Sequence, residues 1–102
     1  MNSRRGKEAG DERVFVRELK IINRLGLHAR PAALFVKTAS RFESEVVVEK
    51  EGNAAVSGKS IMGLMTLEAG LDTVLKVTAQ GPDAEQVLDE LASLVANKFL
   101  EE

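Results

Sequence analysis

Residues 26–32 read Gly26-Leu27-His28-Ala29-Arg30-Pro31-Ala32, and they mark the point where a strand gives way to a helix. Proline is accepted in a helix only near its start, where a backbone N–H needs no intrahelical partner, so Pro31 sets the helix origin to within about a residue or two. Gly26 breaks the preceding strand. Downstream, Ala32, Phe35, Val36 and Ala39 recur at helical spacing and Phe42 closes the stripe. This pattern predicts a helix from about Ala29 to Arg41, with Lys37 and Ser40 on its polar side.

His28 is the only histidine of the chain, and this reading puts it at the helix start. Unpaired backbone N–H groups and the positive end of the helix dipole converge there, and such a place binds anions, phosphate above all. A lone histidine is more often a surface or satisfied core residue than a reactive one, so its neighbours decide. Arg30, two residues on, offers a planar guanidinium suited to phosphate oxygens, and Arg24 lies four residues before the ring. A nucleophilic ring nitrogen stands beside a phosphate cradle.

Working outward, Val14 to Ile22 reads as a strand, and Asn23 to Leu27 as the loop that delivers the chain to His28. Residues 45–50, EVVVEK, form a β-branched run that pairs through the turn Glu51-Gly52-Asn53 with Ala54 to Ser57, and Gly58 ends the hairpin. A short helix follows from about Ser60 to Glu68, stopped at Gly70. A strand from Thr73 to Ala79, the turn Gly81-Pro82 and a helix from about Asp83 to Phe99 complete the chain. That last helix puts Ala84, Val87, Leu88, Leu91, Leu94 and Val95 on one face, with Asp89 and Glu90 on the other. The order βαββαβα describes an α+β fold, an open sheet with three helices on one face and water on the other. Residues 1–13, MNSRRGKEAGDER, carry almost no large apolar side chains and read as a disordered tail ahead of one domain over residues 14–102.

The short second helix is apolar nearly all round, through Ile61, Met62, Leu64, Met65 and Leu67. Two arrangements fit this periodicity. With Leu64 and Leu67 in the core, Ile61, Met62 and Met65 form an exposed patch, which marks a docking surface that methionine suits by its adaptability. In the other arrangement all five are core. Ser60 stands where it caps this helix, and a phosphate added to that hydroxyl would be tolerated by the fold and would damage an adjoining interface. Lys59 makes that neighbourhood basic.

Composition narrows the function classes. The absence of cysteine removes disulfides, thiolate chemistry and cysteine metal sites, and a single histidine makes a zinc site improbable, so neither metal nor cofactor is expected. No apolar run has signal-peptide or membrane length, which points to a cytoplasmic protein; a monomer is the default expectation. Four Phe without Trp or Tyr disfavour binding of single-stranded nucleic acid. The net charge of −2 hides an asymmetry, because residues 14–42 carry six basic residues against Glu18 alone, whereas residues 43–102 carry four basic residues against twelve acidic ones. A basic surface around His28 would draw a phosphoryl group and acidic protein partners, and the acidic second half offers no continuation for a nucleic-acid stripe.

GLHARPAALFVKTAS, followed about thirty residues later by GKSIMGLMTL, closely resembles the HPr family, the phosphocarriers of the bacterial phosphoenolpyruvate:sugar phosphotransferase system. The resemblance spans about Val16 to Phe99. It implies an open-faced β-sandwich of order βαββαβα with a four-stranded antiparallel sheet. It also implies a carrier rather than an enzyme, in which His28 accepts a phosphoryl group on Nδ1 from enzyme I and passes it to a histidine of an EIIA-type domain. Arg30 then stands at the position of the phosphate-stabilising arginine. Ser60 stands at that of the regulatory serine modified by HPr kinase/phosphorylase, and Ala29, Ala33, Ile61, Met62 and Met65 stand at partner-contacting positions. Phosphoserine would also serve a transcriptional regulator. Leu25 departs from the sugar-transport type: NRLGLHARPA looks like the nitrogen-system members and KSIMGLMTL like the serine-regulated ones. A regulatory interaction module without sugar transport is therefore the alternative.

Overall fold

The strands and α-helices follow one another as β1 (Val14–Lys20), α1 (Ala29–Ala39), β2 (Glu45–Lys50), β3 (Val56–Ser57), α2 (Ile61–Thr66), β4 (Val74–Gln80) and α3 (Ala84–Ala96), with a short 3-10 turn at Lys98–Leu100. They are seen in a computed structural model that describes residues 13–101. The expected tail lies outside the described residues except for Arg13, whose carbonyl accepts the Gly81 N–H at 3.1 Å.

The strands form one antiparallel sheet in the order β1-β4-β2-β3. Register follows from apolar alternation, since a slip of one residue would turn the buried set to water. Leu19 faces Leu75, Ala79 faces both Phe15 and Val46, and Val77 faces Val48, all on the side the helices cover. From the helices, Phe35, Leu64, Val87, Leu88, Leu91 and Val95, together with Leu67 at the C-cap of α2, fill the space above them and are almost wholly buried. Each such side chain contributes on the order of 1.5–3 kcal/mol. The α+β fold with an open sheet face is the one expected.

Several boundaries differ from the expectation. β1 ends at Lys20, although Ile21 remains buried and donates its N–H to Thr73 at 2.8 Å. α1 stops at Ala39 with Ser40 as its C-cap, and β3 is only two residues long, Ala54 and Ala55 lying outside it. β4 runs one residue later than expected. Glu68, not Gly70, takes the left-handed conformation just past α2, at φ 51°. α3 ends at Ala96, well short of Phe99, and Leu94 is only partly buried. Beyond it Lys98, Phe99 and Leu100 all have positive φ, and this left-handed turn lets Phe99 bury its ring in the core. Periodicity carries no sign of such a turn, because Phe99 falls near the helical stripe either way.

Three polar clamps hold the layers in place. Lys59 donates its ammonium to the Phe42 carbonyl at 2.8 Å, and Lys50 donates to that of Leu67 at 2.9 Å. Asp83, at the start of α3, accepts the N–H groups of Glu43 and Ser44 and the Ser44 hydroxyl, and its own N–H donates to Ser44 Oγ. Burial alone would raise the Asp83 carboxyl, but these hydrogen bonds outweigh it and hold the group below its ordinary value.

Candidate functional site

The loop that carries His28 is strapped to the connection between α2 and β4. Asp72 donates its N–H to the Ile21 carbonyl at 2.7 Å, and Leu27 donates to the Ala69 carbonyl at 2.8 Å. Gly26 sits at φ 74°, and a Cβ there would meet the Ala69 oxygen, so the close approach requires glycine. His28 is thereby set as the N-cap of α1, in extended conformation and with no side-chain cap bond. No acidic residue occupies the first turn. The N–H groups of Ala29 and Arg30 therefore have no intrahelical partner, and Pro31, buried within that turn, has none to satisfy. The positive end of α1 is left uncompensated by its own turn. Arg30 is exposed and pairs with no carboxylate among the described residues.

The imidazole is partly exposed, and its Nε2 lies 2.9 Å from Glu101 Oε2. A carboxylate can only accept, so the network assigns a hydrogen to Nε2, and in the neutral ring the lone pair is then on Nδ1. Glu101 Oε1 in turn accepts from the Asn23 amide at 3.1 Å, and the same amide donates to the Gly26 carbonyl at 2.8 Å. Sequence reasoning missed both partners: Glu101 belongs to no recognisable motif, and Asn23 reads as an ordinary loop residue.

One side of the ring borders a mostly apolar depression. Shallow and about 310 Å³ in volume, it is lined by Leu25, His28, Met65 and Glu68 among others. On α2 the sides separate cleanly: Leu64 and Leu67 are fully buried, while Met62 is 76% exposed and Ile61 and Met65 are each about 40% exposed. The arrangement with all five in the core is not the one adopted. Ala29 and Ala33 are exposed on α1, which packs against α2. Leu25, at 68% exposure, enlarges the apolar surface beyond what the sequence suggested. Ser60 caps α2, its Oγ accepting the Gly63 N–H at 2.9 Å. Lys59 beside it keeps its positive charge, with the ammonium held by the Phe42 carbonyl at 2.8 Å.

The charge asymmetry also changes meaning in three dimensions. Arg17 pairs with Asp89 at 2.8 Å, Arg41 with Glu90 at 3.3 Å and Lys20 with Asp72 at 3.8 Å, so half of the basic segment is matched by acids of the second half. Glu101, another of those acids, reaches the imidazole itself. Near His28, Arg24 and Arg30 stay exposed, while the Glu101 carboxylate meets the ring. Among the described residues no helix is long and apolar enough to cross a membrane, and no cluster of His and acidic residues suits a metal.

Comparison with known proteins places this geometry in context. Residues 15–97 match the family described as the phosphotransferase-system HPr component phosphorylation site. The chain is 42% identical over 87 residues to the phosphocarrier protein HPr of Treponema pallidum, covering 85% of this chain and 98% of that one. It is 51% identical over 70 residues to the HPr-like protein Crh of Bacillus subtilis, covering 69% and 81% respectively. Among solved structures, HPr from Thermoanaerobacter tengcongensis superposes with a TM-score of 0.81 at 48% identity, over 86% of this chain and 98% of that one.

Proposed function

The chain belongs to the HPr family of phosphocarriers of the phosphotransferase system, and from that premise we propose that His28 accepts a phosphoryl group on Nδ1 from the phosphohistidine of enzyme I. The Nδ1 lone pair attacks phosphorus, the nitrogen–phosphorus bond of the donor breaks, and its electron pair returns to the donor ring. The reverse sequence of bonds then delivers the group to a histidine of an EIIA-type domain. The single observation that carries this reading is the uncapped start of α1, where Nδ1 is free while Nε2 is engaged by Glu101. The N–H groups of Ala29 and Arg30 and the Arg30 guanidinium supply donors for the phosphoryl oxygens, with no cofactor or metal.

Docking falls to the exposed residues Ala29, Ala33, Ile61, Met62 and Met65, an adaptable apolar surface that meets enzyme I and the A-type domain in turn. Ser60, at the edge of that surface, is the site for HPr kinase/phosphorylase, and its phosphate sets whether the surface takes enzyme I or a transcriptional regulator. A second reading, a regulatory interaction module without sugar transport, draws support from the likeness to the HPr-like protein Crh. Incubation with phosphoenolpyruvate and enzyme I separates the two. The carrier takes up acid-labile, base-stable phosphate that His28→Ala does not, and the module takes up none.

A further inference from the structure

We propose that Glu101 is a positioning residue for phosphoryl transfer. Its carboxylate holds the Nε2–H of His28, presents Nδ1 alone to the donor and stabilises the positive ring once the Nδ1–phosphorus bond has formed. The proposal rests on the carrier reading above and adds a residue to it.

Three observations carry it. First, both carboxylate oxygens are used: Oε2 meets His28 Nε2 at 2.9 Å, and Oε1 accepts from Asn23, a residue with no exposed surface. Secondly, the Glu101 side chain is only 17% exposed, less than either partner of the other ion pairs among the described residues, and exposed pairs hold geometry poorly. Thirdly, the backbone leading to it runs through consecutive left-handed residues, Lys98, Phe99 and Leu100, with buried Phe99 as the anchor. Such strain persists only where the surroundings over-determine it, and here its effect is to bring Glu101 over the imidazole.

The chemistry balances without moving a proton. A neutral ring with hydrogen on Nε2 attacks through Nδ1 and becomes a phosphoimidazolium, its charge facing the carboxylate. On onward transfer the Nδ1–phosphorus pair returns to the ring, which is neutral again with Nε2–H still on Glu101. A carboxylate behind a histidine fixes tautomer and orientation in the same way wherever the far nitrogen reacts.

The test is single-turnover transfer from phosphorylated enzyme I to wild type, E101A and E101Q, with ¹H–¹⁵N spectra of the His28 ring. The wild-type Nε2–H signal is expected to be protected from solvent exchange, phosphorus is expected on Nδ1, and E101A is expected to lose that protection. Its maximal transfer rate should fall about tenfold, the size of effect typical of a lost partner behind a reacting histidine. Half-saturation should stay within about twofold, because the docking surface is untouched. E101Q keeps side-chain size and removes charge, so its rate reads the electrostatic part even where truncation loosens the turn. Unchanged rates and ring signals in both variants, or phosphorus on Nε2 of the wild type, would overturn the proposal while leaving the carrier reading intact. A wild type that takes no phosphoryl group overturns the carrier reading, and Glu101's role in transfer with it.

Discussion

A Cβ added at Gly26 would lie 2.5 Å from the carbonyl oxygen of Ala69, the same oxygen that accepts the Leu27 N–H at 2.8 Å. This contact joins the His28 loop to the segment that follows α2. Gly26→Ala should therefore lose about 1–3 kcal/mol, from the left-handed φ and the close approach together. Chemical denaturation measures it, and an unchanged midpoint would show that the strap yields without cost.

The Ser44–Asp83 clamp predicts a direction for acid denaturation. The Asp83 carboxyl is held below its ordinary value of 3.8 in the folded protein. Its contribution is thus present above that unfolded value and is lost as pH falls through the lower folded one. Urea midpoints measured from neutral to strongly acidic pH should decline more steeply for the wild type than for Asp83→Asn. Parallel curves would remove the clamp from the explanation.

Much of this was legible in the chain because apolar periodicity and punctuation agreed. Pro31 and Gly26 framed the start of α1, and the β-branched run of β2 gave its limits to the residue. The α1 origin carried the site with it, since His28, Arg30 and the free N–H groups are all local to one turn. What local pattern could not supply was the return of the chain end. Phe99 reads as one more apolar residue on α3, yet its left-handed neighbours turn Glu101 onto a ring 73 residues earlier in the chain. Likewise Lys59 looks like a local charge beside Ser60, and only the fold reveals its bond to Phe42. Long-range hydrogen bonds made by unpatterned polar residues leave no periodic trace.

Met62 tests the docking surface. It is the most exposed of the apolar side chains on α2, so Met62→Glu should weaken enzyme I binding markedly and leave the melting temperature nearly unchanged. Titration calorimetry beside thermal unfolding checks both halves. Binding equal to the wild type would move the interface elsewhere.

Ser60 divides into a structural and a regulatory part. Its cap bond to Gly63 predicts that Ser60→Ala costs about 0.5–2 kcal/mol of stability. A phosphate there adds charge at the rim of the Ile61, Met62 and Met65 patch, so kinase-phosphorylated protein should stay folded and accept phosphoryl groups from enzyme I more slowly. An unimpaired rate would leave Ser60 as a helix cap alone.

The most direct measurement of the central claim is a chase. Protein labelled from phosphoenolpyruvate through enzyme I is mixed with an EIIA-type domain, and the label is followed by rapid quench. The expected result is that label leaves His28, appears on the acceptor histidine without passing through free phosphate, and never enters His28→Ala. Label that enters His28→Ala equally, or that leaves the wild type only as inorganic phosphate, would contradict the relay.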